Sequence, residues 1–241
     1  MKYSIAMSAS MSGLICSLNK SSAFTIVRPT SASFLQSRPL ATYNTSILRQ
    51  SAVEEVDPGV VEGTDLRVLK YPHPSLRAAN AEITEEELKS GEISKIAKEM
   101  FLVMYATQGV GLAAPQVGIN KKMMVYNETG DKKKWLKETV MVNPKIVDFS
   151  EGKDVESEGC LSFPGMNGDV QRSKWIKVEA QNLKGKKMKK KFKGWEARIF
   201  QHEYDHLDGT LYPDRLTDEG KDLVKQRLDE LVTEFGEGGE L

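Results

Sequence analysis

A chain of 241 residues has room for one domain of ordinary size with a full core and little room for a second large one. Lys plus Arg and Asp plus Glu stand equal at 34 each, which excludes a global electrostatic case for binding DNA, RNA or a membrane surface. The apolar run around Leu14 to Leu18 falls far short of the roughly 20 residues of a membrane-spanning helix, so no transmembrane segment is expected.

Charge is unevenly placed along the chain. Residues 1–50 carry Lys2, Lys20, Arg28, Arg38 and Arg49, no acid, and Ser-rich stretches such as "MSASMSGLICSLNKSSAF". Basic, hydroxylated and acid-free is the composition of an organellar transit peptide. Residues 51–63, "SAVEEVDPGVVEG", read as an acidic linker, and a single catalytic domain is expected over 64–241. Cys16 falls in the presequence, which leaves Cys160 alone in the mature part and no internal disulfide.

The domain opens with "DLRVLKYPHPSLR". From Ile83 to about Tyr105 a helix is expected, because Ile93, Ile96, Ala97, Met100, Phe101 and Met104 recur at spacings of three and four. Strand-type runs follow at 122–126, 139–149, 174–182 and 187–193, parted by Gly, Pro and polar turns. Helical pattern returns in "EARIFQHEYDHL", where Ala197, Phe200, Tyr204 and Leu207 form an apolar face. An amphipathic helix from Thr217 to about Phe235 comes last, before a fraying "GEGGEL". Strands and helices do not alternate one for one, so the fold class expected is α+β: antiparallel sheets rather than a doubly wound parallel one.

In "QHEYDHLDG", His202 and His206 are four apart with Glu203 between them. On a helix the two imidazoles share a face one turn apart, where they can hold one metal ion with the Glu beside it. A hydrolytic centre needs a third protein ligand and an open position. The place where long metalloprotease motifs carry a third His is Tyr212, and the remaining His73 sits in a Pro-flanked turn. Two candidates stay open: Glu230 on the final helix, which gives a zinc endopeptidase, and Cys160 in "ESEGCLSFPG", a thiolate suited to borderline transition metals and set among turn residues. A third stretch, "GVGLAAPQVG" at 109–118, lacks the residues of a phosphate loop.

Together and in this order, "GVGLAAPQ", "EGCLS" and "QHEYDHLDG" resemble the three signature motifs of the peptide deformylases, and the resemblance runs from about Asp65 to Leu216. The context "SFPG" and "EARIFQHEYDHLDG" resembles the organellar, plant-type branch. The resemblance implies a central metal-binding helix flanked by an N-terminal and a C-terminal helix, with Cys160, His202 and His206 as metal ligands. It implies Glu203 as proton carrier, and the Gln116 side-chain amide with the Leu161 backbone N–H as donors to the oxyanion. Gly109, Val110 and Gly111 become an edge for the substrate backbone, and Val110, Ile199 and His202 walls of a methionine pocket. Glu158 and Arg172 are expected to support the ligands, Asp205 to be a helix-surface or orienting acid, and the role of Arg198 stays open. The implied reaction removes the formyl group from N-terminal formylmethionine of new polypeptides and releases formate.

The cofactor implied is one divalent metal ion, Fe²⁺ by resemblance, with Zn²⁺, Ni²⁺ or Co²⁺ as substitutes. Expected partners are formylmethionyl peptides and nascent chains, with no DNA and no membrane, in a monomer or homodimer. The branch favours the plastid stroma, with the mitochondrion as the alternative. Seven lysines between Lys184 and Lys193 read either as a ribosome contact or as a charged sheet edge that resists strand pairing, with Met188 and Phe192 turned inward.

Overall fold

The computed structural model describes residues 61–236. The expected transit peptide, most of the expected linker and residues 237–241 lie outside the described residues.

The first expected helix is two. A short helix α1 (Glu85–Ser90) ends at Gly91, which adopts a left-handed φ of 83°, and α2 (Glu92–Ala106) begins directly after it. Glycine tolerates that conformation without a Cβ clash, so the chain changes direction inside a continuous apolar pattern. Thr84 caps α1 in a reciprocal box, its hydroxyl accepting from the Glu87 amide while the Glu87 carboxylate accepts from the Thr84 amide. Helix α2 buries Ile93, Ala97, Met100, Phe101 and Met104 of the face its spacing predicts, with Ile96 partly buried and Val103 added to the buried set.

Strands β1 (Gly111–Ala113), β2 (Met123–Tyr126) and β3 (Thr139–Phe149) follow. Next come β4 (Lys153–Cys160) and β5 (Phe163–Ser173), then β6 (Trp175–Gln181) and β7 (Lys187–Lys193). Five of them make one sheet in the order β1-β2-β3-β6-β7, every pair antiparallel, while β4 and β5 form a separate two-stranded ribbon. The strands anticipated from pattern are β2, β3, β6 and β7. Strand β1 is too short to show a period, and β4 carries mainly charged, exposed positions until its last three residues become buried.

Asn143 locks the middle of the sheet. It sits at φ 47° beside a register shift between β3 and β6. Its side chain accepts from the Ile83 amide at 2.8 Å and donates to the Ile83 carbonyl at 2.8 Å and to Gln181 at 3.0 Å. Asn143→Ala removes these bonds and leaves a Cβ-bearing residue in left-handed backbone without local support. The expected loss is about 2–3 kcal/mol, read as a lower midpoint of denaturant unfolding with the slope unchanged.

Helix α3 (Gly194–Leu207) packs against β1, β2, β6 and β7 of the sheet and against β5 of the ribbon. Its apolar side stacks Phe200 on Phe192 of β7, ring centroids 5.2 Å apart. Its other buried positions are polar: Arg198, Gln201, His202, Glu203, Asp205 and His206. A polar helix face buried between a sheet and a ribbon requires partners for every charge it carries. Helix α4 (Asp218–Phe235) rests on β5, burying Val224 and Leu231, and Arg227 donates to the Pro164 carbonyl at 3.0 Å. No helix among the described residues is long and apolar enough to cross a membrane.

The lysine run is the outer strand of the sheet. Phe192 is buried and Met188 partly so, while Lys189 pairs with Glu179, Lys190 with Glu196, and Lys191 lies 3.6 Å over the Trp175 ring.

Candidate metal centre

Helical spacing brings His202 and His206 onto one face of α3, and the end of β4 brings Cys160 to them. The three side chains are buried and offer ligand atoms that all lie within 4.8 Å of one another. Cys160 Sγ is 3.3 Å from His206 Nε2. Cys160 reaches this place because the β4–β5 pairing slips between Gly159 and Cys160 and closes in a tight turn onto Phe163.

The ring of His202 is oriented by Glu158, whose Oε2 lies 3.0 Å from Nδ1. A carboxylate there accepts, so the proton is assigned to Nδ1 and the lone pair of Nε2 is left facing the cluster. His202 Nε2 has no hydrogen-bond partner among the described residues. Burial, then His202 and Arg172, hold the His206 imidazole well below its usual pKa, which keeps it neutral as a ligand must be. Burial raises the Glu158 carboxyl, but hydrogen bonds from His202 and Arg172 outweigh it and leave the acid well below its ordinary range. One sulfur and two imidazoles, each with a buried nitrogen that lacks a partner among the described residues, fit a divalent transition metal with an open position.

Glu203 is fully buried, and both its oxygens lack a partner among the described residues. Burial, then the nearby Glu158 charge, pushes its pKa well above the ordinary value against the opposing pull of Arg172 and of the Ala113 amide, and that amide donates to Gln116 Oε1 at 2.8 Å. That same bond fixes the Gln116 amide, whose Nε2 lies 3.3 Å from Ser162 Oγ and 3.7 Å from Cys160 Sγ. The NH₂ end is thereby presented to the cluster. Leu161 is buried, and its carbonyl accepts from Lys70 at 2.8 Å.

Gly111 passes directly over Glu203: a Cβ built on it would lie 2.8 Å from the Glu203 carboxyl carbon. Gly111→Ala must therefore displace the carboxylate or the strand. Overpacking of this kind costs about 1–3 kcal/mol, and a lowered unfolding midpoint checks it. Val110 is buried and its carbonyl accepts from the Asn127 amide at 2.8 Å. Ile199 is buried one turn before His202 on α3.

The other sequence candidates are placed elsewhere. His73 Nδ1 accepts from the Ser75 amide at 3.1 Å and caps a short 3₁₀ turn. Glu230 is on the solvent side of α4, bonded to Gln226 and Arg227. The endopeptidase alternative is thereby corrected: the cluster of potential metal ligands found among the described residues takes Cys160 and not Glu230. Tyr212, where a third His was sought, is a buried ring tilted against Phe163.

A family model described as "Polypeptide deformylase" matches residues 65–222. The chain belongs to the peptide deformylase family. It is 43% identical over 176 residues to "Peptide deformylase 1B, chloroplastic/mitochondrial" of Arabidopsis thaliana, a match spanning 72% of this chain and 62% of that relative. A peptide deformylase of Rhodopirellula baltica is 38% identical over 173 residues, 70% of this chain and 82% of the relative. Among solved structures, a peptide deformylase from Plasmodium falciparum superposes with a TM-score of 0.65 at 40% identity, over 70% of this chain and 96% of that one. A plant peptide deformylase gives 0.69 at 41% identity, over 76% and 97%. The chain spans 62%, 57% and 62% of the length of three plant peptide deformylases that it matches.

Within this member of the family, sequence reasoning left the charged surroundings of the ligands underdetermined. Glu158 has no measurable exposure and takes bonds from Arg172 at 2.9 and 2.8 Å and from Arg198 at 2.8 Å. Asp205 faces inward rather than outward, paired with Arg172 and Arg215. A signal existed in the alternating acids Asp154, Glu156 and Glu158, which becomes legible only when β4 is known to be a strand.

Proposed function

We propose that this chain is a metal-dependent deformylase that removes the formyl group from N-terminal formylmethionine of polypeptides made in an organelle. The observation that carries the reading is the buried trio Cys160, His202 and His206 beside a buried, partnerless Glu203. A divalent ion held by the trio supplies Lewis acidity and lowers the pKa of water toward about 7. Glu203, whose carboxyl burial pushes well above its ordinary pKa, takes the proton of the attacking water and returns it to the departing amine. The Gln116 NH₂ and the Leu161 backbone N–H donate to the formyl oxygen as negative charge builds on it. Glu158 holds His202 in the Nδ1–H tautomer throughout.

β1 is the end strand of its sheet, so its outer edge, entered through Gly109 and Val110, takes the substrate backbone in strand fashion while the Gly109 amide and the Val110 carbonyl stay bonded to Met104 and Asn127. Val110, Ile199 and the His202 ring then wall the methionine side chain. Formate release from a formyl-Met peptide, with no acetate released from the acetyl-Met peptide, tests this reading. Equal turnover of both contradicts a formyl-selective site.

The metal we assign is ferrous iron, with Zn²⁺, Ni²⁺ or Co²⁺ able to replace it. Affinity alone favours zinc over iron, so the support is the family resemblance together with a soft sulfur ligand. The cost is a Cys160 sulfur open to oxidation in air. Protein purified without oxygen is expected to contain iron and to lose activity on exposure to air, as read by metal analysis alongside formate release. Fully active zinc protein indifferent to oxygen refutes the iron assignment alone.

Plastid location is supported by the acid-free, Ser-rich residues 1–50 and by plant relatives named chloroplastic or chloroplastic/mitochondrial. Of the two readings of Lys184–Lys193, the charged sheet edge is favoured by the ion pairs of Lys189 and Lys190 within the chain.

A further inference from the structure

The metal centre is assembled from two pieces that no sheet pairing joins. Cys160 ends β4 of the two-stranded ribbon, His202 and His206 stand on α3, and the ribbon is not hydrogen-bonded into the five-stranded sheet. Something else must set the distance from sulfur to imidazole.

Two arginines cross the gap in opposite directions. Arg172 leaves β5 of the ribbon and reaches Asp205 and the Gln201 carbonyl on α3. Arg198 leaves α3 and reaches both strands of the ribbon: Glu158 Oε1 at 2.8 Å and the Val170 carbonyl at 2.9 Å through one nitrogen. Its second terminal nitrogen donates to Asp154 Oδ1 at 2.6 Å and to the Asp154 carbonyl at 3.2 Å. Its Nε pairs with Glu156 at 3.2 Å. Asp154, Glu156 and Glu158 alternate along β4, so their side chains fall on one strand face. All three carboxylates meet this single guanidinium, which is 2% exposed. A planar fork with five donors can bind such a set, and the point charge of a lysine cannot.

We infer that Arg198 is a positioning residue of the metal centre: it registers the Cys160 ribbon against α3 and, by holding Glu158, fixes the ring of His202. The inference rests on the reading of Cys160, His202 and His206 as ligands. Arg198 touches no ligand atom itself. Its loss leaves Glu158 still bonded to Arg172 and His202, so no buried carboxylate is orphaned and the fold should persist while the site loosens.

The test loads the full chain with Co²⁺ and follows its release to a chelator through the sulfur-to-cobalt charge-transfer absorption. Arg198→Met is expected to release cobalt about 10–100-fold faster than the parent, the range for losing a group that orients a ligand. Arg198→Lys is expected to fall between them. Arg227→Met, which unties α4 from Pro164, serves as the control and should lower the unfolding midpoint without changing release. Release by Arg198→Met within twofold of the parent overturns the inference, as does equal acceleration by Arg227→Met. Should Arg198→Met fail to fold, Asp154→Asn with Glu156→Gln weakens the same anchorage from partly exposed positions. Several-fold faster release is expected there, and unchanged release overturns the inference. Since the signal is optical, absence of deformylation would contradict the proposed reaction and leave this result standing.

Discussion

Replacing Glu203 by Gln is expected to leave metal content unchanged and to lower formate release by about 10²–10⁴-fold, the usual contribution of a positioned acid–base group. The substitution keeps the volume of a fully buried side chain, so no cavity accompanies the loss of the titrating group. It also removes the charge whose burial, beside Glu158, raises the Glu203 pKa. The variant should therefore be at least as stable as the parent while unable to carry the proton. Metal analysis and turnover on the same preparation separate the two roles. Loss of metal in Glu203→Gln would make Glu203 a ligand and contradict its assignment.

Cys160→Ala should have the opposite signature, with metal and turnover lost together. It removes the one sulfur of the trio and leaves two imidazoles on a helix, short of the three protein ligands that hydrolytic centres use. The effect on stability should be small for a side chain of this size, because the apolar neighbours Leu161 and Phe163 stay packed. Glu230→Ala, by contrast, removes an exposed acid paired with Arg227 and should change neither quantity. Retained metal in Cys160→Ala with loss in Glu230→Ala would reverse the ligand set.

The parts of the fold that were legible are those where burial imposes a period. Helices α2, α3 and α4 and strands β2, β3, β6 and β7 bury apolar residues at spacings that follow from the backbone repeat. The break at Gly91 was hidden because Ile83 and Ile93 are both buried on either side of it, as one long helix would also allow. The ribbon was hidden for a different reason. β4 alternates, but the side chains it turns toward α3, at Asp154, Glu156 and Glu158, are acids that meet Arg198, and a pattern search expects apolar residues there.

The same physics limited the site. His202 and His206 announce themselves by helical spacing, whereas Cys160 becomes distinctive only beside the other two motifs, because a lone cysteine is ordinarily a small buried hydrophobe. Arg172, Arg198 and Asp205 are of types that usually meet solvent. Their burial follows from a contact between ribbon and helix that no local stretch encodes.

Metal-dependent deformylation is tested most directly by formate release from a formyl-Met peptide by the chain purified without oxygen, before chelation, after chelation and after return of Fe²⁺. The prediction is release that disappears with the chelator and returns with the metal; no release in any of the three states, or release indifferent to the chelator, would contradict it.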